Sequence, residues 1–99
     1  MTINKIQEGE KLTIALQGRL DTTTAPQLEG ELRSSVNGIS ELVFDLTDLE
    51  YVSSAGLRVL LSAQKVMNRQ GNMTVRNVSS EVMDVFELTG FSEILNIEQ

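Results

Sequence analysis

The sequence predicts an α/β fold: a mixed, open β-sheet carrying three main α-helices, in one domain spanning residues 1–99. Three observations lead there. The segments follow one another in the order β-β-α-β-α-β-α, which implies a mixed sheet with right-handed crossovers. The run Leu42 to Leu46 is short, apolar and rich in strand formers, as a strand buried at the centre of such a sheet must be. Each stretch with apolar residues at helical spacing has a start signal before it and a stop signal behind it.

In chain order, Ile3 to Gln7 and Lys11 to Gln17 read as two strands joined through Glu8-Gly9-Glu10. Leu12, Ile14 and Leu16 alternate with Thr13 and Ala15, so one face of the sheet is better covered than the other. Thr24-Ala25-Pro26-Gln27 has the form of a capping box with Pro in the first turn. It leads into a helix with Ala25, Leu28, Leu32 and Val36 on one side, stopped by Asn37-Gly38. The strand Leu42 to Leu46 follows, and then a helix from Ser53 or Ser54 to about Arg69, with Gly71 behind it. Asn72 to Asn77 reads as the next strand. Ser79 or Ser80 caps a third helix, Glu81 lies near its positive end, and Gly90 stops it. Phe91, Ile94, Leu95 and Ile97 supply a last apolar segment, read as a short strand or edge. Repeats, linkers and low-complexity tracts are absent from the sequence.

Composition narrows the chemistry. Ninety-nine residues can bury about two thirds of the unfolded chain's surface, which is enough for one core without staples. The chain has no Cys and no His, which removes disulfides, thiolate catalysis and the commonest metal ligand and general base. A net charge of -6 disfavours nucleic acid and anionic lipid as partners and suits a basic protein surface. The start Met1-Thr2-Ile3-Asn4-Lys5-Ile6 lacks the basic and apolar pattern of a secretory signal, and no segment approaches the ~20 apolar residues of a membrane span. A cytoplasmic protein without membrane insertion is the expectation.

The most informative stretch is Leu46-Thr47-Asp48-Leu49-Glu50-Tyr51-Val52-Ser53-Ser54-Ala55-Gly56-Leu57, which sets two adjacent hydroxyls where a strand gives way to a helix. Either serine can act as N-cap, accepting from a backbone N–H that the helix leaves unpaired, and capping alone accounts for most serines in such places. An exposed hydroxyl there can also carry a phosphate. The stretch resembles the signature of the STAS family, the bacterial anti-sigma-factor antagonists and related domains, through Asp45-Leu46, Tyr51-Val52, Ser54 and Gly56-Leu57. Gly18-Arg19-Leu20-Asp21 and Phe86-Glu87-Leu88-Thr89-Gly90-Phe91 extend the resemblance over nearly the whole chain. Two positions depart from the family pattern: Ser53 stands where Asp is common, and Ala55 where a second Ser or Thr is common.

The resemblance implies a switch in which the unmodified protein binds a kinase-type anti-sigma factor and displaces the sigma factor. The partner then phosphorylates Ser54 with its own ATP, and a phosphatase restores the unmodified form. It also implies that Asp21 lies near the modified serine as a contact or kinase-facing residue. On spacing alone, Asp21 equally suits a turn cap for Thr23 or Thr24.

On a wheel of about 100° per residue, Gly56, Val59, Leu60, Ala63, Val66 and Met67 form the core arc of the central helix, while Leu57 and Leu61 fall outside it among Arg58, Gln64, Lys65 and Asn68. That placement predicts a small apolar patch one turn from Ser54, or leucines covered by a neighbouring loop. The expected partner-binding set is Asp21, Ser53, Leu57, Arg58 and Leu61, with Asp48 and Glu50 nearby at strand ends. Three function classes compete on these residues. An enzyme is disfavoured, because Ser54 has no His to activate it and neither Gly-x-Ser-x-Gly nor a phosphate-binding loop is present. A phosphorylation-switched binding module needs only a hydroxyl beside a contact surface. A non-phosphorylated STAS adaptor in a transport or signalling complex would use the same helix without the phosphate. No cofactor or metal is expected in any of the three.

Overall fold

The computed structural model describes residues 1–98. Strands β1 (Thr2–Glu8), β2 (Lys11–Leu20), β3 (Glu41–Val52), β4 (Asn72–Arg76) and β5 (Ile97–Glu98) form one sheet in sequential order. β1 is antiparallel to β2, and the remaining neighbours are parallel. Helices α1 (Ala25–Ser35), α2 (Ser54–Gln70) and α3 (Ser80–Thr89) connect the strands, with a single 3-10 turn at Phe91–Glu93 before β5. The mixed sheet with three helices is the architecture the sequence predicts; of the last apolar segment only Ile97 enters a short edge strand, while Phe91 lies in the 3-10 turn and Ile94 and Leu95 precede the strand.

Period-2 alternation sets which face is covered. Leu12, Ile14 and Leu16 of β2, Leu42, Phe44 and Leu46 of β3, and Met73 and Val75 of β4 are all buried in one core. Leu28 and Leu32 of α1, Leu60 and Met67 of α2, and Val82 and Phe86 of α3 close it from above. Burying a side chain the size of Phe44 or Leu60 contributes about 1.5–3 kcal/mol relative to leaving it in water. Of the residues between them, Val43 is buried, whereas Thr13, Ala15, Asp45 and Thr74 are only partly buried; they belong to the opposite face, on which none of the described helices lies.

β3 runs to Val52, well past the predicted end at Leu46, and takes in the acidic and aromatic link. Leu46, Leu49 and Val52 are buried at a spacing of three, which a regular strand of period 2 cannot achieve. The β2–β3 ladder therefore shifts register twice, between Ala15 and Gln17 and between Gly18 and Arg19, each time with one extra residue in β3. The bulges let one strand look, in sequence, like a strand followed by a loop.

The predicted capping box at Thr24 is not formed. Thr24 sits in the αR region and gives no side-chain cap to α1. Its hydroxyl instead donates to the Arg19 carbonyl at 2.8 Å and accepts from the Asp21 N–H at 2.8 Å. The other two helix starts follow the rules. Ser53 Oγ accepts from the Gly56 N–H at 3.3 Å, and Ser79 Oγ accepts from the Val82 N–H at 3.2 Å. Gly71 ends α2 for a steric reason, since a Cβ there would lie 1.9 Å from the Ser40 carbonyl oxygen. The same oxygen accepts from Asn72 N–H at 2.9 Å, so the close approach is what lets β4 enter the sheet directly after the helix.

Candidate functional site

The site is built where β2 and β3 both end and α2 begins. Arg19 pairs with Tyr51 and Leu20 with Val52 across the ladder, so the two chains leave the sheet side by side. The Ser53 N–H donates to the Leu20 carbonyl at 2.9 Å, which pins the entry to α2 onto the last residue of β2. Gly56 completes the seat. A Cβ on it would meet Leu20 Cγ at 2.6 Å and the Leu20 oxygen at 3.0 Å, so only glycine lets the first helical turn rest this close.

This geometry separates the two serines. Ser53 is half-buried and its hydroxyl is engaged as the N-cap, whereas Ser54 is the exposed first residue of the helix. Helix geometry leaves the N–H groups of Ser54 and Ala55 without intrahelical acceptors, and the positive end of the dipole lies there. An added phosphate would sit in a favourable field.

Asp21 adopts the turn-cap role. Its Oδ1 accepts from the Thr23 and Thr24 N–H groups at 3.0 and 3.1 Å. The Thr24 N–H above all, helped by Thr23 and by the Arg19 guanidinium, holds the Asp21 carboxyl below its ordinary range. Arg19 lies 3.7 Å from Asp21 through its Nε and stacks over the Tyr51 ring at 4.1 Å from the centroid. Arg19 and the exposed Tyr51 thus form a rim beside the α2 start that the sequence reading did not single out. The signal was present in Gly18-Arg19-Leu20-Asp21, but only the ladder register places Arg19 opposite Tyr51.

Leu57 contradicts its expected place. It is 5% exposed and belongs to the core, whereas Val66, assigned to the core arc, is only partly buried. The buried set Gly56, Leu57, Val59, Leu60, Ala63, Gln64 and Met67 is centred some tens of degrees from the predicted arc. The physical cause is that α2 packs on β3 and β4 as well as on α1, so the flank bearing Leu57 and Gln64 is covered too. Val66 in turn opens into the α1–α2 groove, opposite Leu32 and Val36. Leu61 is partly buried and Arg58 is exposed. Arg58 and Ala55 line the near end of that groove, a hollow of about 300 Å³ shared with Thr22, Ala25 and Pro26.

The structure therefore gathers Asp21, Ser53, Ser54 and Arg58 around the start of α2. Asp48 and Glu50 are not in this group. They face a separate, wider polar hollow of about 790 Å³ beneath the bulges of β3, bounded by Gly18, Ser79 and Glu81. Among the described residues no cluster of acidic side chains has the arrangement of a metal site, and no helix is long and apolar enough to cross a membrane.

Comparison with known proteins gives one pattern. The family model described as STAS domain matches residues 2–99. The Bordetella bronchiseptica protein BtrV, provisionally named an anti-sigma factor antagonist, is 39% identical over 98% of this chain and 84% of its own length. The anti-sigma-B factor antagonist of Listeria monocytogenes is 32% identical over 95% of this chain and 84% of its own length. Among solved structures, the anti-sigma factor antagonist SpoIIAA in its unphosphorylated form superposes with a TM-score of 0.78 at 16% identity, covering 99% of this chain and 88% of SpoIIAA. SpoIIAA of Bacillus in its phosphorylated form gives 0.77 at 17% identity, covering 99% and 92%.

Proposed function

The chain belongs to the STAS domain family, and from that premise we propose that it is an anti-sigma-factor antagonist, a regulatory binding protein whose partner is an anti-sigma factor of the kinase type and whose switch is phosphorylation of Ser54. The names of its relatives support the antagonist role. The observation that carries the switch is the division between the two serines: Ser53 has its hydroxyl tied into the helix cap, while Ser54 stands exposed at the helix start. That SpoIIAA is known in both an unphosphorylated and a phosphorylated form supports a reading in which this fold accepts the group, since the present chain superposes equally well on either.

Mechanistically, the unmodified protein presents Ser54, Arg58 and partly buried Leu61 along the outer side of α2, flanked by the Arg19–Tyr51 stack. The partner docks on this surface and supplies ATP; the Ser54 hydroxyl attacks the γ-phosphorus, the bond from that phosphorus to the β,γ-bridging oxygen breaks and ADP leaves, and the partner's own site takes the serine proton. A phosphoserine adds about -1.5 to -2 charges at neutral pH. The helix N-terminus tolerates that charge when it is solvated, but a partner closed over it must desolvate it beside Asp21, and the complex dissociates. A phosphatase then resets the surface.

The test is incubation with a kinase-type anti-sigma factor and ATP, followed by mass spectrometry of the Ser53 to Leu57 peptide. A phosphate on Ser54 that Ser54→Ala abolishes is the expected result. A phosphate on Ser53, or none while the partner still binds, would overturn the switch and leave the non-phosphorylated adaptor.

A further inference from the structure

One edge of the sheet is short and the other is open. On the β5 side the edge strand has two residues, whereas β1 offers seven in unbroken register with β2, with neither a bulge nor a proline. Charged side chains that commonly guard such an edge are weak here. Lys5 turns to the helix side, where it pairs with Glu31 and donates to Ser35 Oγ at 2.9 Å. On the uncovered face β1 carries Ile6, 61% exposed.

The turn fixes which backbone groups are free. Gly9 has φ of +63° and opens a two-residue connection closed by the Glu8–Lys11 pair. Counting from that pair, the hydrogen-bonded partners of β2 are Glu8, Ile6, Asn4 and Thr2, so the N–H and C=O groups of Ile3, Lys5 and Gln7 point outward from the sheet.

We propose that β1 is a self-association edge, pairing antiparallel with β1 of a second copy of this chain about a two-fold axis at Ile6, to give one sheet continuous across both copies. Charge admits a second copy as the occupant, and charge together with apolar cover selects the register. With the axis at Ile6, Lys5 of one copy lies opposite Gln7 of the other and Asn4 opposite Glu8, so no like charges meet. An axis at Lys5 would set the two lysines opposite each other. An axis at Asn4 avoids like charges as well, but it leaves Glu8 unpaired and each Ile6 beside a threonine. In the Ile6 register the two isoleucines form a non-hydrogen-bonded pair, the closest type of cross-strand contact, and cover the exposed apolar surface. The segment Thr2–Glu8 is locally neutral, with Lys5 balancing Glu8, although the whole chain carries -6. The interface is small, so the dimer is a weak one, populated at high protein concentration and favoured by salt that screens the net charge. It uses none of Ser54, Arg58 or Asp21.

Because the chain has no Cys, a single introduced one reads the register directly. Across a non-hydrogen-bonded pair the Cα atoms are about 4.5 Å apart, within the reach of a disulfide. Ile6→Cys should therefore cross-link under mild oxidation, while Asn4→Cys, whose copies would lie about 13 Å apart, should not. Sedimentation of the unmodified chain across a concentration series in high salt should show a monomer–dimer equilibrium. Gln7→Pro, which removes an outward N–H without touching the β1–β2 ladder, should leave a folded monomer, and Ile6→Lys should do the same by setting like charges on the axis. A monomer at every concentration would overturn the proposal, as would undiminished self-association of Gln7→Pro, or equal cross-linking of the Asn4→Cys and Ile6→Cys proteins.

Discussion

Ser53 and Ser54 are the same residue type side by side, yet the backbone gives their hydroxyls different tasks. Ser53 Oγ satisfies the Gly56 N–H, so Ser53→Ala should cost about 1 kcal/mol of stability as a lost cap, measured by denaturant unfolding. Ser54→Ala should leave stability nearly unchanged, because the side chain is exposed. A second residue-scale prediction concerns Asp45 on the uncovered sheet face. Its Oδ1 accepts from the Thr47 hydroxyl at 2.6 Å, the Thr47 N–H at 3.1 Å and Asn77 Nδ2 at 3.2 Å. The Thr47 hydroxyl first, then Asn77 and the Thr47 N–H, hold the carboxyl below its usual 3.8. A carboxyl whose pKa is lower folded than unfolded contributes stability above the unfolded value and loses it as pH falls through the folded one. Stability should thus fall on acidification below about pH 4, and Asp45→Asn should flatten that part of the profile. At neutral pH the variant should cost about 1 kcal/mol, the bond strength being discounted for partial exposure. Urea midpoints at a series of pH values check both statements, and an unchanged acid limb in Asp45→Asn would reject the assignment.

At the scale of elements, α2 shows how far a helical wheel reaches. Its start, its cap and its glycine stop are legible because they depend on neighbours within four residues. Its rotation is not, because that depends on how many elements border it. A wheel centred on the most apolar residues places Leu57 outside, but α2 packs on β3, β4 and α1, and Leu57 and Gln64 are both buried. Leu57→Ala should accordingly cost ~2–5 kcal/mol, as Leu60→Ala does, while Leu61→Ala should cost less than about 1 kcal/mol and act instead on partner affinity. Thermal melts of the three variants decide it, and a near-neutral Leu57→Ala would reject the packing described. The same distinction explains β3. Its apolar first half reads as a strand, but burial at a spacing of three beyond Leu46 imitates a loop, and only the ladder with β2 reveals two bulges. It also explains Thr24, whose box-like context is outcompeted by Asp21, a shorter acceptor already placed at the turn.

For the whole molecule, the question is where a charge placed on Ser54 is felt. The start of α2 is fastened to the sheet through Ser53, Leu20 and Gly56, and the positive end of the helix dipole lies at the turn that bears Ser54. The folded domain gains little repulsion from the added group, even with a net charge of -6, because the site is open to solvent and screening. A docked partner removes that solvent. Once water is excluded, the phosphate must be matched by cations or left unpaired near Asp21, and unpaired burial of charge costs several kcal/mol. The melting temperature of Ser54→Asp should therefore stay within about 2 °C of the unmodified protein, as expected for a surface change well below 1 kcal/mol. Affinity for the anti-sigma factor should drop by two or more orders of magnitude in the phosphorylated protein, equivalent to roughly 3 kcal/mol, and by less in Ser54→Asp, which has half the charge and fewer acceptor oxygens. Ser54→Ala should bind as the unmodified protein does and resist modification. Calorimetric titration of the partner against the four forms, paired with melts of each, separates the alternatives. Equal affinities would place the switch elsewhere, and a large fall in the melting temperature of Ser54→Asp would mean that charge acts on the fold and reaches the interface only through it.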